Sequence, residues 1–157
     1  MIQITVIVNG ITHTLQVEPR LLLSDFLRQD LGLTGTHVGC EHGVCGSCTI
    51  LFDGDAVRAC LMFAVQANGH EITTVESLTT DMERLHPIQR AFRETHALQC
   101  GFCTSGILMT LIPFLEKNPD PTEADIRQAL TGNLCRCTGY QHIVAAVQRA
   151  AQLQQKP

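Results

Sequence analysis

Eight cysteines constrain this chain more than any other feature. Cys40, Cys45, Cys48 and Cys60 are spaced C-x4-C-x2-C-x11-C, and Cys100, Cys103, Cys135 and Cys137 supply a C-x2-C and a C-x-C. The chain has 157 residues, 45% of them hydrophobic but only 4% aromatic. Its character changes after about Ser77, which gives two units, 1–77 and 78–157. Each has roughly 75 residues, a size at which a hydrophobic core alone is marginal. Something must staple them, and the cysteines are the candidates. The N-terminus lacks the basic and apolar regions of a secretory signal, so a cytoplasmic location is expected. Disulfides are rare there, and the cysteines read better as metal ligands than as bridges.

The C-x4-C-x2-C core of the first quartet is the plant-type [2Fe–2S] spacing. Three thiolates on one tight loop can wrap a small cluster, with Cys60 expected from a neighbouring hairpin strand. Gly39, Gly43 and Gly46 suit such a loop. Glycine adopts positive φ and lets backbone N–H groups approach the sulfurs, where they stabilise negative charge and tune the potential. Zinc is the alternative, although structural zinc favours pairs of short hooks. His37 and His42 flank the loop and read as supporting or surface residues, since four cysteines fill the site.

The second quartet is less diagnostic. Cys100 and Cys103 stand at the start of one expected helix, and Cys135 and Cys137 in the loop before another. Free N–H groups and the positive dipole end stabilise anionic thiolates at such places. Spacing alone leaves zinc open here. Thioredoxin-like chemistry at Cys100 and Cys103 lacks its βαβ context.

Between the cysteines, hydrophobic periodicity sets the architecture. Ile2, Ile4, Val6 and Val8 alternate with mostly polar residues, Asn9-Gly10 is a strong hairpin signal, and Ile11, Leu15 and Val17 resume the alternation. Residues 21–31 read as a short helix with Leu22, Leu23, Phe26 and Leu27 inward. A glycine-bearing loop covers 32–46, a second hairpin pairs 48–52 with 56–63 around Asp53-Gly54, and 72–75 is a last strand. This predicts a small β-grasp-like α+β unit. Beyond it the pattern is helical: one helix opening at Pro87, one over 102–115, one after Asp120-Pro121-Thr122 with Gly132 as its C-cap, and one over 141–153 with Ile143, Val147 and Ala151 on one face. A polar tail, 154–157, follows.

The net charge of −4 argues against a nucleic-acid binder, which would show a basic stripe. No run of about 18 apolar residues predicts a membrane span. No triad, phosphate loop or paired-carboxylate signature stands out. His13, His70, His86, His96 and His142 are scattered and read as surface or capping residues, and Asp30, Glu76 and Asp125 as solvated or capping ones.

Three blocks then carry a resemblance: Gly39-Cys40-Glu41-His42-Gly43-Val44-Cys45-Gly46-Ser47-Cys48-Thr49, Gln99-Cys100-Gly101-Phe102-Cys103-Thr104, and Gly132-Asn133-Leu134-Cys135-Arg136-Cys137-Thr138-Gly139-Tyr140. Over nearly its whole length the chain resembles the iron–sulfur subunit of the xanthine dehydrogenase family of molybdenum hydroxylases, which includes carbon monoxide dehydrogenases and aldehyde oxidoreductases. Ser105 departs mildly, since many relatives have Pro there.

The resemblance implies a ferredoxin-like N-terminal domain and an all-α four-helix C-terminal domain, each holding a [2Fe–2S] cluster on its quartet. It implies that Gln99 and Cys137 contact the pterin of a molybdenum cofactor on a large partner subunit. The first cluster would face FAD on a medium subunit, with residues 43–46 as the exit edge, in a heterotrimer or a dimer of heterotrimers. Both partner cofactors are expected on other polypeptides, and catalysis with them. Arg136, between two ligands, is a candidate for raising its cluster's potential. A free-standing ferredoxin-like carrier and a zinc-stapled interaction module are the competing readings. The helical half argues against a simple carrier, which needs only the first half.

Overall fold

A computed structural model describes residues 1–79, 81 and 84–155. Thr80, Met82 and Glu83, at the head of the expected second unit, and Lys156 and Pro157 of the expected tail lie outside the described residues.

The N-terminal strands are β1 (Ile2–Val8), β2 (Ile11–Val17), β3 (Thr49–Phe52), β4 (Asp55–Arg58) and β5 (Glu71–Thr73). They form one mixed sheet in the order β2-β1-β5-β3-β4. β1 runs antiparallel to β2 and parallel to β5, and β3 runs antiparallel to β4 and β5. Both hairpins turn where the sequence places them. Asn9 and Gly10 have φ of 52° and 78°, Asp53 and Gly54 49° and 89°, the paired positive values that match strand twist. One face of the sheet buries Ile4, Val6, Val8, Ile50 and Ile72 beneath Leu23, Phe26 and Leu27.

Three local expectations needed correction. The expected helix over 21–31 starts as α1 (Leu23–Asp25) and widens into a π-helical turn, Phe26–Asp30, in which the Leu31 N–H bonds back to Phe26 O. Leu22 is only half-buried, because its segment pairs with Phe63 instead. The expected strand over 56–63 stops at Arg58, and Ala59–Leu61 is a 3-10 turn. Cys60 therefore reaches its site from a turn, not from a strand. The turn is required because Met62 O must accept from Leu23 N at 2.8 Å, which pulls the chain off the sheet. The last strand ends at Thr73, and Val75–Leu78 turns away.

Helices follow: α2 (Pro87–Glu94), α3 (Thr104–Lys117), α4 (Glu123–Ala129) and α5 (Gln141–Gln154). Thr122 caps α4 in a capping box with Asp125. Their shared core holds Ile88, Phe92, Ile107, Leu111, Leu115, Ile126, Ile143 and Val147. Gly132 is not a left-handed cap. It ends a 3-10 turn, Leu130–Gly132, and it is small for another reason: a Cβ there would lie 2.6 Å from Arg58 Nη2.

The two halves touch through backbone. A Cβ on Gly106 in α3 would overlap the Gly46 carbonyl and come 2.8 Å from Ser47 Cα. Glycine is thus needed at Gly106 for α3 to lie against the first cysteine loop.

Candidate metal centres

All eight cysteines are free thiols, and the fold gathers them into the two expected quartets. In the first, Glu41, Gly43 and Gly46 have φ of 56°, 81° and 75°, which curls the backbone so that its N–H groups face inward. The Cys45 N–H lies 3.4 Å from Cys40 Sγ. N–H groups of Cys45 and His42 lower the Cys40 thiol to about 6. Such a cradle favours thiolate, the ligand form of cysteine. Cys48 and Cys60 are buried, and burial raises the Cys48 thiol to about 11.

The sulfurs interact within each quartet. Cys40 interacts with Cys45, and Cys48 with Cys60 and Cys45. In the second quartet Cys100 and Cys137 bring their Sγ atoms to 3.5 Å, and Cys103 interacts with Cys135 and Cys100. Burial pushes Cys103 up to about 12. At Cys135 burial also acts upward, but hydrogen bonds led by the Thr138 hydroxyl, 3.1 Å away, give a net lowering. Among the described residues no three His, Cys, Asp or Glu groups converge on one metal position. Four thiols at each site can supply two thiolates to each iron of a binuclear cluster.

The two cysteine loops are joined by a polar lock that sequence reasoning missed. Leu134 N donates to Cys45 O at 2.8 Å, so a cysteine of the first quartet bonds to the residue preceding a cysteine of the second. Asn133, 1% exposed, donates to Gly46 O at 3.2 Å. Arg58 donates to Thr49 Oγ1 and to Gly132 O, both at 2.6 Å. Tyr140, with φ 68°, accepts from Cys135 N at 2.8 Å and donates to Asn133 O at 2.9 Å. Tyr140 lies in the quoted third block, but nothing in sequence links Arg58 to Gly132.

The other expected residues are placed as follows. Gln99 donates to Cys137 O at 3.1 Å. Arg136 is exposed and makes no ion pair among the described residues; it lines a cleft of about 210 Å³ between the loops, with Cys45, Cys100 and Cys103. His42 Nδ1 donates to Cys40 O. His70 pairs with Asp53 at 2.6 Å, His86 caps α2, and His142 bonds Thr95 O at 2.8 Å. Glu76 receives Gly35 N at 2.8 Å, and Asp125 is the capping residue already described.

The 2Fe-2S iron-sulfur cluster binding domain matches residues 6–74, and the [2Fe-2S] binding domain matches residues 74–148. The chain is 61% identical to the 6-hydroxypseudooxynicotine dehydrogenase complex subunit beta of Paenarthrobacter nicotinovorans, over 92% of this chain and 90% of that one. It belongs to the iron–sulfur subunit family of the molybdenum hydroxylases. A second member of the family, the caffeine dehydrogenase subunit gamma of Pseudomonas sp. (strain CBB1), is 56% identical over 92% of this chain and 87% of its own length. Among solved structures, the quinoline 2-oxidoreductase from Pseudomonas putida 86 superposes with a TM-score of 0.92 at 50% identity, covering 96% of this chain and 94% of the matched chain. The α+β fold with two 2Fe-2S domains is thus the family's fold. The chain is an iron–sulfur subunit of an oxidoreductase.

Proposed function

We propose that this chain is the electron relay of a multi-subunit molybdenum hydroxylase, with units 1–77 and 78–157 each carrying one [2Fe–2S] cluster. The first unit is a β-grasp ferredoxin-like domain with Cys40, Cys45, Cys48 and Cys60 as ligands. The second is a four-helix domain with Cys100, Cys103, Cys135 and Cys137. The observation that carries the reading is the set of four interacting thiols at each site, together with the hydrogen bond from Leu134 N to Cys45 O between the two loops.

When bound, each cluster stores one electron, so a two-electron oxidation on the partner leaves in single steps. The chain's residues hold, orient and insulate. The cradle around Cys40 stabilises negative charge, burial of Cys48 and Cys60 excludes water, and Arg58, Asn133 and Tyr140 fix one loop against the other. Gln99 and Cys137 face the pterin of the large subunit; Cys137 is exposed and Gln99 braces its carbonyl, which supports that role. Of the expected edge 43–46, Gly43 and the exposed Val44 would face FAD on a medium subunit, in a heterotrimer or a dimer of heterotrimers, since Cys45 and Gly46 are taken up against the second half. Arg136 raises the potential of the second site, and unchanged midpoints in Arg136→Gln would overturn that assignment.

No helix of the described residues is long and apolar enough to cross a membrane; we place the complex in the cytoplasm. Anaerobically purified native complex is expected to contain about four irons and four sulfides in this chain and, once reduced, two distinct paramagnetic centres. Zinc without iron would establish the stapled module instead, and a stable two-cluster monomer as the native form would establish the free carrier. The named relatives act on N-heterocyclic compounds, so N-heterocycles are the first substrates to assay.

A further inference from the structure

His37 is three residues from the nearest ligand, Cys40, yet it reaches across to the other quartet. Its ring stacks on Phe102, with centroids 4.8 Å apart and planes 14° from parallel. Its Nδ1 lies 2.8 Å from the Phe102 carbonyl oxygen. That oxygen can only accept, so Nδ1 carries the proton. Ser105 Oγ, in the first turn of α3, stands 3.4 Å from the same nitrogen.

Phe102 lies between Cys100 and Cys103, so whatever holds Phe102 holds that hook. From the other side Phe102 lies over Gly39: a Cβ there would be 3.2 Å from Phe102 Cε1 and 3.2 Å from Cys45 Sγ. The segment bearing His37 is itself anchored. Arg28 Nη1 donates to Thr34 O at 2.7 Å and to Thr36 O at 2.9 Å, and Thr36 is buried. The chain from Arg28 through His37 to Phe102 is therefore a brace on the C-x2-C hook. It is distinct from the lock through Leu134, which acts on the C-x-C hook.

We propose that His37 is a positioning residue for electron passage: by clamping Phe102 it fixes the separation and orientation of the second site relative to the first. The inference rests on the two-cluster relay reading. In the step concerned one electron leaves the second site, which is oxidised by one, and arrives at the first, which is reduced by one. No bond or proton changes place, and in the test dithionite or a photoreductant supplies the electron.

The test uses the native complex carrying wild-type chain, His37→Ala or His37→Phe. Iron is counted first. The fully reduced forms are then compared by low-temperature electron paramagnetic resonance for magnetic splitting between the two centres, and by flash photoreduction for the transfer rate. His37→Ala is expected to keep its iron, to lose splitting and to transfer about tenfold more slowly, in keeping with the steep rate cost of small misplacements. His37→Phe, which retains the stack, is expected to recover most of both. Full iron with wild-type splitting and rate in His37→Ala overturns the inference alone, as does His37→Phe behaving like His37→Ala. If His37→Ala sheds iron, Phe102→Leu is judged by the same criterion. A wild-type complex with only one paramagnetic centre overturns the relay reading and this inference with it.

Discussion

The two cysteine sites solve one problem in opposite ways. The first is local: three ligands share a nine-residue loop, Cys40 to Cys48, whose positive-φ residues aim N–H groups inward, and its inner pair is buried in the core of the sheet domain. The second is assembled from two hooks separated in sequence, each before a helix, with Cys100 and Cys137 exposed. A local loop can be shaped by its own backbone. A split site depends on whatever holds its pieces together, and here much of that comes from the first domain. The second site also leaves two of its cysteines, Cys100 and Cys137, exposed, where on the reading proposed above a partner would approach.

The sharpest way to break this contrast is to remove one ligand from each. Cys48→Ser puts a hydroxyl where a buried thiol packs among Ile50 and Leu27, so it is expected to abolish the first centre and to unfold the sheet domain with it. Cys137→Ser should abolish only the second centre and leave the first centre's spectrum intact. Equal damage from both, read by metal analysis and circular dichroism, would erase the distinction.

Next in size is Gly106→Ala. Its Cβ meets backbone, not a yielding side chain, so ~3 kcal/mol of overpacking is expected. The visible absorbance of the clusters should then bleach at a lower temperature, with the second centre lost first. Arg58→Met removes two charge-assisted hydrogen bonds. Its cost is expected at ~2 kcal/mol, again read at the second centre although Arg58 belongs to the first domain. Bleaching of the first centre alone would mean that the lock serves its own domain.

The smallest effect concerns pH. Burial lowers the His86 pKa, against an opposing pull from Glu116, and its neutral Nδ1 accepts from Ile88 N at 3.3 Å. A histidine depressed in the folded state contributes stability that is fully present above its ordinary value near 6.5 and is lost as pH falls through that value towards the folded one. Amide exchange at Ile88 should accelerate over that window, and His86→Asn, which caps without titrating, should flatten the response.

Legibility in the sequence followed the same divide between local and distant. The hairpins at Asn9-Gly10 and Asp53-Gly54 were readable because two residues fix a turn. The strands β1 and β2 were readable because alternation with period two has few other meanings. The departure at Cys60 was not, because the bond from Leu23 N to Met62 O that ends the strand joins segments far apart in the chain. The widening of α1 into a π turn likewise answers to packing beneath the sheet.

The two cysteine groups and the chemistry of their loops were therefore legible in sequence alone: cysteine is the residue that supplies thiolate, and glycine readily takes the curled backbone that cradles it. Tertiary structure alone decided how the two loops meet. The stacking of His37 on Phe102, the bond from Leu134 to Cys45 and the reach of Arg58 to Gly132 are contacts between distant segments. Spacing encodes what a loop can wrap. It carries no information on which remote carbonyl a guanidinium will find, because that depends on α3 lying flush against a glycine-lined surface.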